Sequence, residues 1–316
     1  MRGIFKMLLM WSFSPQCPLF HTLRPEFPIV SIDRSVRREP MPEHLNGANT
    51  MSLLQSDGTR IRKLLTFDSN TKLIKSAARI SRVKIGSLSL AQDKTSGYQV
   101  CSSSTDGCRN ICVGQCGLAG VFPSIPATRI AKTRLLFEHR HEFLAQLHHE
   151  LRLFSRRCER SGDQAVMRLN CFSDISWELI DPTLFSYPIK FYDYTKKIAR
   201  YRRYLKRDNE WPGPDVRIDN YHLTYSRSER TPDELIRSLI GRGGNVAVVL
   251  PIKRLSTYPK QYLGLPAVSG DEHDLRYLDP PGRIVILRAK GGIGNDTTGF
   301  VDRRPDTGYT PLTISA

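Results

Sequence analysis

The chain has no apolar run approaching the ~20 residues a helix needs to cross a bilayer, so no segment reads as a membrane span. It also lacks an evenly spread cysteine framework. Of its seven cysteines, four crowd into residues 101–116, while Cys17, Cys158 and Cys171 stand apart. A secreted disulfide scaffold distributes an even number of cysteines through a short chain, so this odd, clustered set reads as ligands in a reducing compartment. Acidic residues are few beside basic ones, 31 against 47, and the net charge of +16 draws the chain towards polyanions. No internal repeat is visible, which excludes a solenoid. His-Glu-x-x-His and paired Cys-x-x-Cys knuckles are missing. Lys290-Gly-Gly-Ile-Gly only loosely imitates a phosphate-cradling loop, because it lacks the full spacing and a following helix.

What is present begins late. Arg2 and Lys6 flank the start of a short apolar run at residues 7–13 that imitates a signal peptide, yet no small-residue cleavage site follows. Residues 1–59 read as a poorly structured extension, rich in proline at first, and residues 60–316 as an α/β domain. Within that domain, residues 86–91 read as a first strand. Residues 126–158 read as one long helix with Leu136, Phe143, Leu147, Leu151 and Phe154 on a stripe and Gly162 as its stop.

Strand-like and helix-like segments then alternate. Strands are expected at 165–170, 189–194, 221–225, 245–250 and 282–288, with helices near 177–180, at 195–207, and from Thr231. Thr231 is expected to N-cap that last helix, with Pro232 in its first turn and Glu234 completing a capping box. Such alternation argues for parallel strands with crossover helices. The expected architecture is a six-stranded partial (β/α) barrel, similar to that of radical S-adenosylmethionine enzymes, with a Cys-rich loop after the first strand.

That architecture places ligands at the carboxyl ends of the strands. Polar residues there become site candidates. Asp174, Glu178 and Asp193 suggest an acidic patch handling protons or metal, and Lys196 and Lys290 suggest groups for a phosphate or carboxylate. Asn170, Ser173 and Ser226 suggest cofactor contacts. His139, His141, His148 and His149 lack a ligand pattern and read as surface or interface residues.

The cysteine segment carries the most specific chemistry. Cys101, Cys108, Cys112 and Cys116 are separated by gaps of six, three and three residues, with Gly107, Gly114 and Gly117 between and beside them. Thiolate is a soft donor that selects iron–sulfur clusters, zinc or Cu(I). Without two zinc knuckles, an iron–sulfur cluster is the first expectation and zinc the alternative. S-adenosylmethionine as a co-ligand rests on architectural analogy alone. The Cys-x-x-x-Cys-x-x-Cys spacing is absent, and the gap from Cys112 to Cys116 is one residue too long.

The helix at 195–207 carries Lys196, Lys197, Arg200, Arg202, Arg203, Lys206 and Arg207, with Tyr201 and Tyr204 among them. It is the expected nucleic-acid contact, made through phosphates rather than bases.

Several short motifs together resemble the phage gene-product-eighty-eight-like family of uncharacterised bacteriophage and prophage proteins. They include Leu88-Ser-Leu-Ala91 with Ser96-Gly-Tyr, the cysteines, Arg168-Leu-Asn170 with Ser173-Asp174, and Phe191 to Lys196. Asn220 to Thr224, Asn245 to Val249, Gly270-Asp271 with Asp274 and Arg276, and Ala289-Lys-Gly291 continue the series. The resemblance covers about residues 65–302. It implies a phage protein working in the host cytoplasm and no particular activity. It also implies three principal cysteine positions, matching Cys101, Cys108 and Cys112, with Cys116 as an extra.

Overall fold

A computed structural model describes residues 53–54, 60–67, 82–115, 118–205, 218–252, 258–289 and 295–304. Residues 1–52, Cys116 and Lys290 therefore lie outside the described residues, as does the basic end of the 195–207 segment, Lys206 and Arg207.

Residues buried on both faces build the central strands. β4 (Val83–Leu88), β5 (Gln164–Arg168), β6 (Lys190–Thr195), β7 (Tyr221–Ser226), β8 (Val246–Leu250) and β11 (Ile284–Arg288) follow one another in parallel across the sheet. Beyond β11 come β10 (Leu265–Ser269), also parallel, and β9 (Gln261–Tyr262), antiparallel. The other edge is β3 (Leu65–Phe67), antiparallel to β4. The result is one open nine-stranded sheet in the order β3-β4-β5-β6-β7-β8-β11-β10-β9. A separate small pair, β1 (Leu53–Leu54) and β2 (Arg60–Ile61), stands apart from it.

This corrects the expected six-stranded barrel. The six expected strands exist, but three more extend the sheet at its edges and it does not close. β3 lies in a polar segment without alternation, and β9 and β10 are short and interrupted by Gly264 and Pro266, so neither edge announces itself by pattern.

Short helices follow the strands: α1 (Asp106–Asn110), α2 (Leu118–Val121), α3 (Ser124–Glu138), α4 (Arg140–Ser161), α5 (Trp177–Ile180), α6 (Ile198–Tyr204) and α7 (Asp233–Gly241). The single long helix expected over 126–158 is two, broken at His139, whose φ of −135° and ψ of 60° leave the helical region. α4 buries Phe143, Leu147, Leu151, Phe154 and Cys158 along one stripe and stops at Gly162, whose φ of 67° is left-handed. The capping box before α7 is absent. Pro232 is the N-cap residue, and Thr231 Oγ1 instead accepts from Ser228 N at 2.9 Å.

One large core joins α3, α4 and α7 to one face of the sheet, including Leu135, Leu147, Trp177, Phe191, Tyr201, Val248 and Ile286. The opposite face carries a smaller cluster, Val83, Ile85, Val166, Tyr192 and Leu275. Leu275 comes from the segment before β11 and covers the sheet from that side. No helix among the described residues is long and apolar enough to cross a membrane.

Candidate functional site

The loop after β5 and the ends of β6 and β7 hold most of the expected site residues. Asp193 is fully buried in β6 and accepts hydrogen bonds from Asn170 N (2.7 Å), Asn170 Nδ2 (3.1 Å) and the Tyr221 hydroxyl (2.8 Å). Burial pushes its carboxyl up to about 6, against the pull of Arg200 and these bonds. Asp174 accepts from Thr195 Oγ1 and Lys196 N, each at 2.8 Å. Glu178 receives Arg200 Nε at 2.9 Å and Nη2 at 2.8 Å.

Arg200, 2% exposed, ties these acids together. It also reaches Asp174 at 3.1 Å and the Tyr221 oxygen at 2.6 Å. Asp174 and Glu178 thus share a buried guanidinium that joins α5, α6 and β7, and Asp193 is linked to it through the Tyr221 hydroxyl. Arg200 is not on the basic surface expected for the 195–207 helix, because α6 turns it inward; Arg202 and Arg203 remain partly exposed.

Asn170 and Ser173, expected to contact a cofactor, close the turn after β5. Asn170 Oδ1 accepts from Ile175 N at 3.0 Å and Ser173 Oγ at 2.8 Å. Ser226 receives the Lys196 ammonium through its side chain (2.7 Å) and its carbonyl (3.3 Å), and Arg227 O accepts a third bond at 3.2 Å. The Lys196 charge lies over the Phe300 ring, 4.6 Å from its centroid. Burial lowers the Lys196 pKa, while Cys108, Asp174, Glu229 and Cys101 oppose that shift.

The cysteines stand at this same end. They do not occupy one plain loop, since Cys108 sits in α1 with Cys101 before it and Cys112 after. Thr105 caps α1, accepting from Cys108 N at 3.3 Å and donating to Glu229 Oε2 at 2.7 Å. Gly107 N donates to Glu229 Oε1 at 3.0 Å. A Cβ at position 107 would collide with Thr298 Oγ1 and come within 2.7 Å of Glu229 Oε2, so glycine is what lets the helix approach.

Burial would raise the Glu229 carboxyl, but its bonds from Thr105 and Gly107 hold it below the ordinary carboxylate range. Burial pushes the Cys101 thiol up to about 12 and raises Cys108, where the Lys196 charge pulls the other way. Asp174, Cys112 and Cys108 raise Cys101 further, and its Sγ donates to the Phe172 carbonyl at 3.4 Å. Even so, no three His, Cys, Asp or Glu side chains among the described residues are grouped to hold a metal ion. Cys116 and Lys290, expected as ligand and anion contact, lie outside those residues.

Sequence reasoning missed three supports of this end. Glu229, three residues past β7, carried no expected role. Thr105 three residues before Cys108 is the spacing of an N-cap. Arg129 donates to Gly114 O at 2.6 Å and lies 4.0 Å from the Phe172 ring centroid, bracing the turn after Cys112; only its distance in sequence hid it. His148, expected at the surface, is partly buried and pairs with Asp181 at 2.9 Å.

A family model described as Gene product 88 matches residues 63–304. Neither the comparison with curated proteins nor that with solved structures returns a match.

Proposed function

The chain belongs to the Gene product 88 family, and on that footing we propose that it is a phage-type iron–sulfur protein whose cluster ligands are Cys101, Cys108 and Cys112. The observation that carries this reading is where the thiols stand: Cys101 Sγ donates to the Phe172 carbonyl at 3.4 Å in the loop after β5, and the helix that holds Cys108 is pinned to Glu229 beyond β7, both at the carboxyl ends of parallel strands. Three soft sulfur donors suit a cluster, and a nearby cation offsets the charge that thiolates bring. Because the thiols are not grouped as a chelate, loading has to draw them together and release their protons. A three-thiolate cluster leaves one iron open to a further ligand, such as S-adenosylmethionine, whereas a fourth ligand from Cys116 closes it. The reaction class this suggests is chemistry on a nucleotide or nucleic-acid substrate at the strand ends.

A second reading is a non-catalytic nucleic-acid-binding protein with a structural zinc or cluster. The observation favouring it is that Asp174, Glu178 and Asp193 are each engaged by Arg200, Tyr221, Asn170 or Thr195, which suits framework better than proton transfer.

Anaerobic reconstitution with iron and sulfide separates the two. A broad visible absorption band that is lost in Cys101→Ala, Cys108→Ala and Cys112→Ala, but kept in Cys158→Ala, is the expected result. A colourless protein that retains stoichiometric zinc supports the second reading. A protein that takes up neither metal overturns both.

A further inference from the structure

Most arginines near the sheet have carboxylate partners: Arg168 with Asp274, Arg200 with Asp174 and Glu178, Arg227 with Asp302, and Arg276 with Asp279. The outer face of α4 differs. Arg152, Arg156 and Arg160 recur every four residues along one line, and Arg157 stands beside them. Arg156, Arg157 and Arg160 are exposed and Arg152 is partly so. None of the four is in an ion pair with a described carboxylate. Arg152 contacts His149 Nδ1 at 3.4 Å, and Arg160 Nε donates to the Arg156 carbonyl at 3.4 Å.

At ~1.5 Å rise per residue the line from Arg152 to Arg160 is about 12 Å long, close to the width of a duplex major groove. Guanidinium groups are the side chains best matched to phosphate oxygens. These four cations outnumber Glu159, the carboxylate exposed among them, and in a chain of net charge +16 that surplus costs self-repulsion that a polyanion would relieve.

The apolar stripe of α4 does not face outward. Phe143, Leu147, Leu151 and Phe154 are buried in the core, and Leu153, 50% exposed, is the one large apolar side chain among the exposed residues of α4. A helix that inserts in a membrane surface needs the opposite arrangement, with its apolar face available to lipid. The cleft at the carboxyl end of α4 is about 390 Å³ and is lined by Cys158, Asp163, Gln164, Lys190 and Asn220 among others, without an aromatic ring. It offers no platform for stacked single-stranded bases.

From these observations we infer that α4 is a docking surface for the phosphate backbone of duplex nucleic acid, through Arg152, Arg156, Arg157 and Arg160. The contact is independent of sequence and separate from the cysteine end of the sheet. It is separate from the surface expected on the 195–207 helix, whose central Arg200 is buried. It does not depend on any metal.

The test is fluorescence anisotropy of the full chain on a labelled duplex of roughly 20 base pairs, over about 50 to 200 mM salt. The comparison is a variant carrying Arg152→Gln, Arg156→Gln, Arg157→Gln and Arg160→Gln. These side chains are on the solvent face, so circular dichroism and thermal midpoint should match the parent. The expected result is weaker binding by about tenfold or more, and a log K against log salt slope shallower by about 3.6, or roughly 0.9 for each phosphate that the variant leaves unneutralised. Parent binding that is unchanged in the variant, or no parent binding at low salt, overturns the proposal. So does variant-sensitive sedimentation with phosphatidylserine vesicles in the absence of duplex binding, which would assign the face to a membrane.

Discussion

Arg200 is the residue on which the interior of the strand ends depends. Its guanidinium is 2% exposed and neutralises Asp174 and Glu178 while bonding the Tyr221 oxygen. Removing one partner of a buried ion network leaves uncompensated charge, so Arg200→Met should lose roughly 3–5 kcal/mol in urea unfolding. An Arg200→Met protein as stable as the parent would show the network to be incidental. Asp193 gives a pH signature. Its pKa rises from 3.8 to about 6 because burial favours the neutral carboxyl. The stability this contributes is full below pH 3.8 and is lost as pH rises through about 6. Asp193→Asn keeps an acceptor for Asn170 N and does not ionise. Relative to the parent it should therefore gain on the order of 3 kcal/mol between about pH 4 and pH 7, since each pKa unit is worth about 1.4 kcal/mol. Parallel pH–stability curves would refute this. At Gly107 the close approach of Thr298 and Glu229 leaves no room for a methyl group. Gly107→Ala should cost about 1–3 kcal/mol through displacement of the Glu229 clamp. The effect should appear as faster hydrogen exchange over residues 105–110.

Among the elements, β3 shows how a segment without a pattern becomes part of the sheet. Its backbone is tied down by buried side chains from two helices. Glu150 of α4 accepts from Leu64 N at 2.8 Å and Leu65 N at 2.7 Å, and Lys132 of α3 donates to Leu64 O at 2.7 Å. Glu150→Ala leaves two buried amides without acceptors and should destabilise by roughly 2–4 kcal/mol. Loss of exchange protection at Leu64 and Leu65 would locate the damage, and retained protection would contradict it. The stripe of α4 and its Gly162 stop were legible in sequence, because periodicity and a left-handed glycine are local signals. The break at His139 was not, since the residues on both sides suit a helix and only the packing of α3 against α4 separates them. The missing capping box before α7 is a similar case. Thr231 has the right spacing, but its hydroxyl bonds Ser228 N in the preceding turn. At the site, the placing of Asn170, Asp174, Asp193, Lys196 and Ser226 at or just past the strand ends could be read from the strand pattern. The role of Arg200 could not, as its partners lie 22 and 26 residues away on other elements.

On the scale of the whole molecule, β4 to β8 lie side by side in chain order, after which the chain passes to β9 and β10 at the far edge and turns back to insert β11 between β8 and β10. The polar groups of the candidate site, Lys196 and Glu229 among them, stand along one rim of this sheet, past the ends of β6 and β7. The described core begins at Ile61, so a chain starting at Met51 retains all of it. That shortened chain should unfold at the same midpoint as the parent, and a clear drop would give residues 1–50 a part in the fold.

By itself the sequence determined the parallel α/β class, the main helical stripe and the family. Each of these is written in local periodicity, composition or short motifs. The tertiary structure alone decided the antiparallel edges, the inward turn of Arg200, the Glu229 clamp on α1, and which arginines of α4 have no ion pair with a described carboxylate. These depend on groups brought together from distant parts of the chain. Burial fixes which charges must find partners and which remain in water, and no local pattern records that choice.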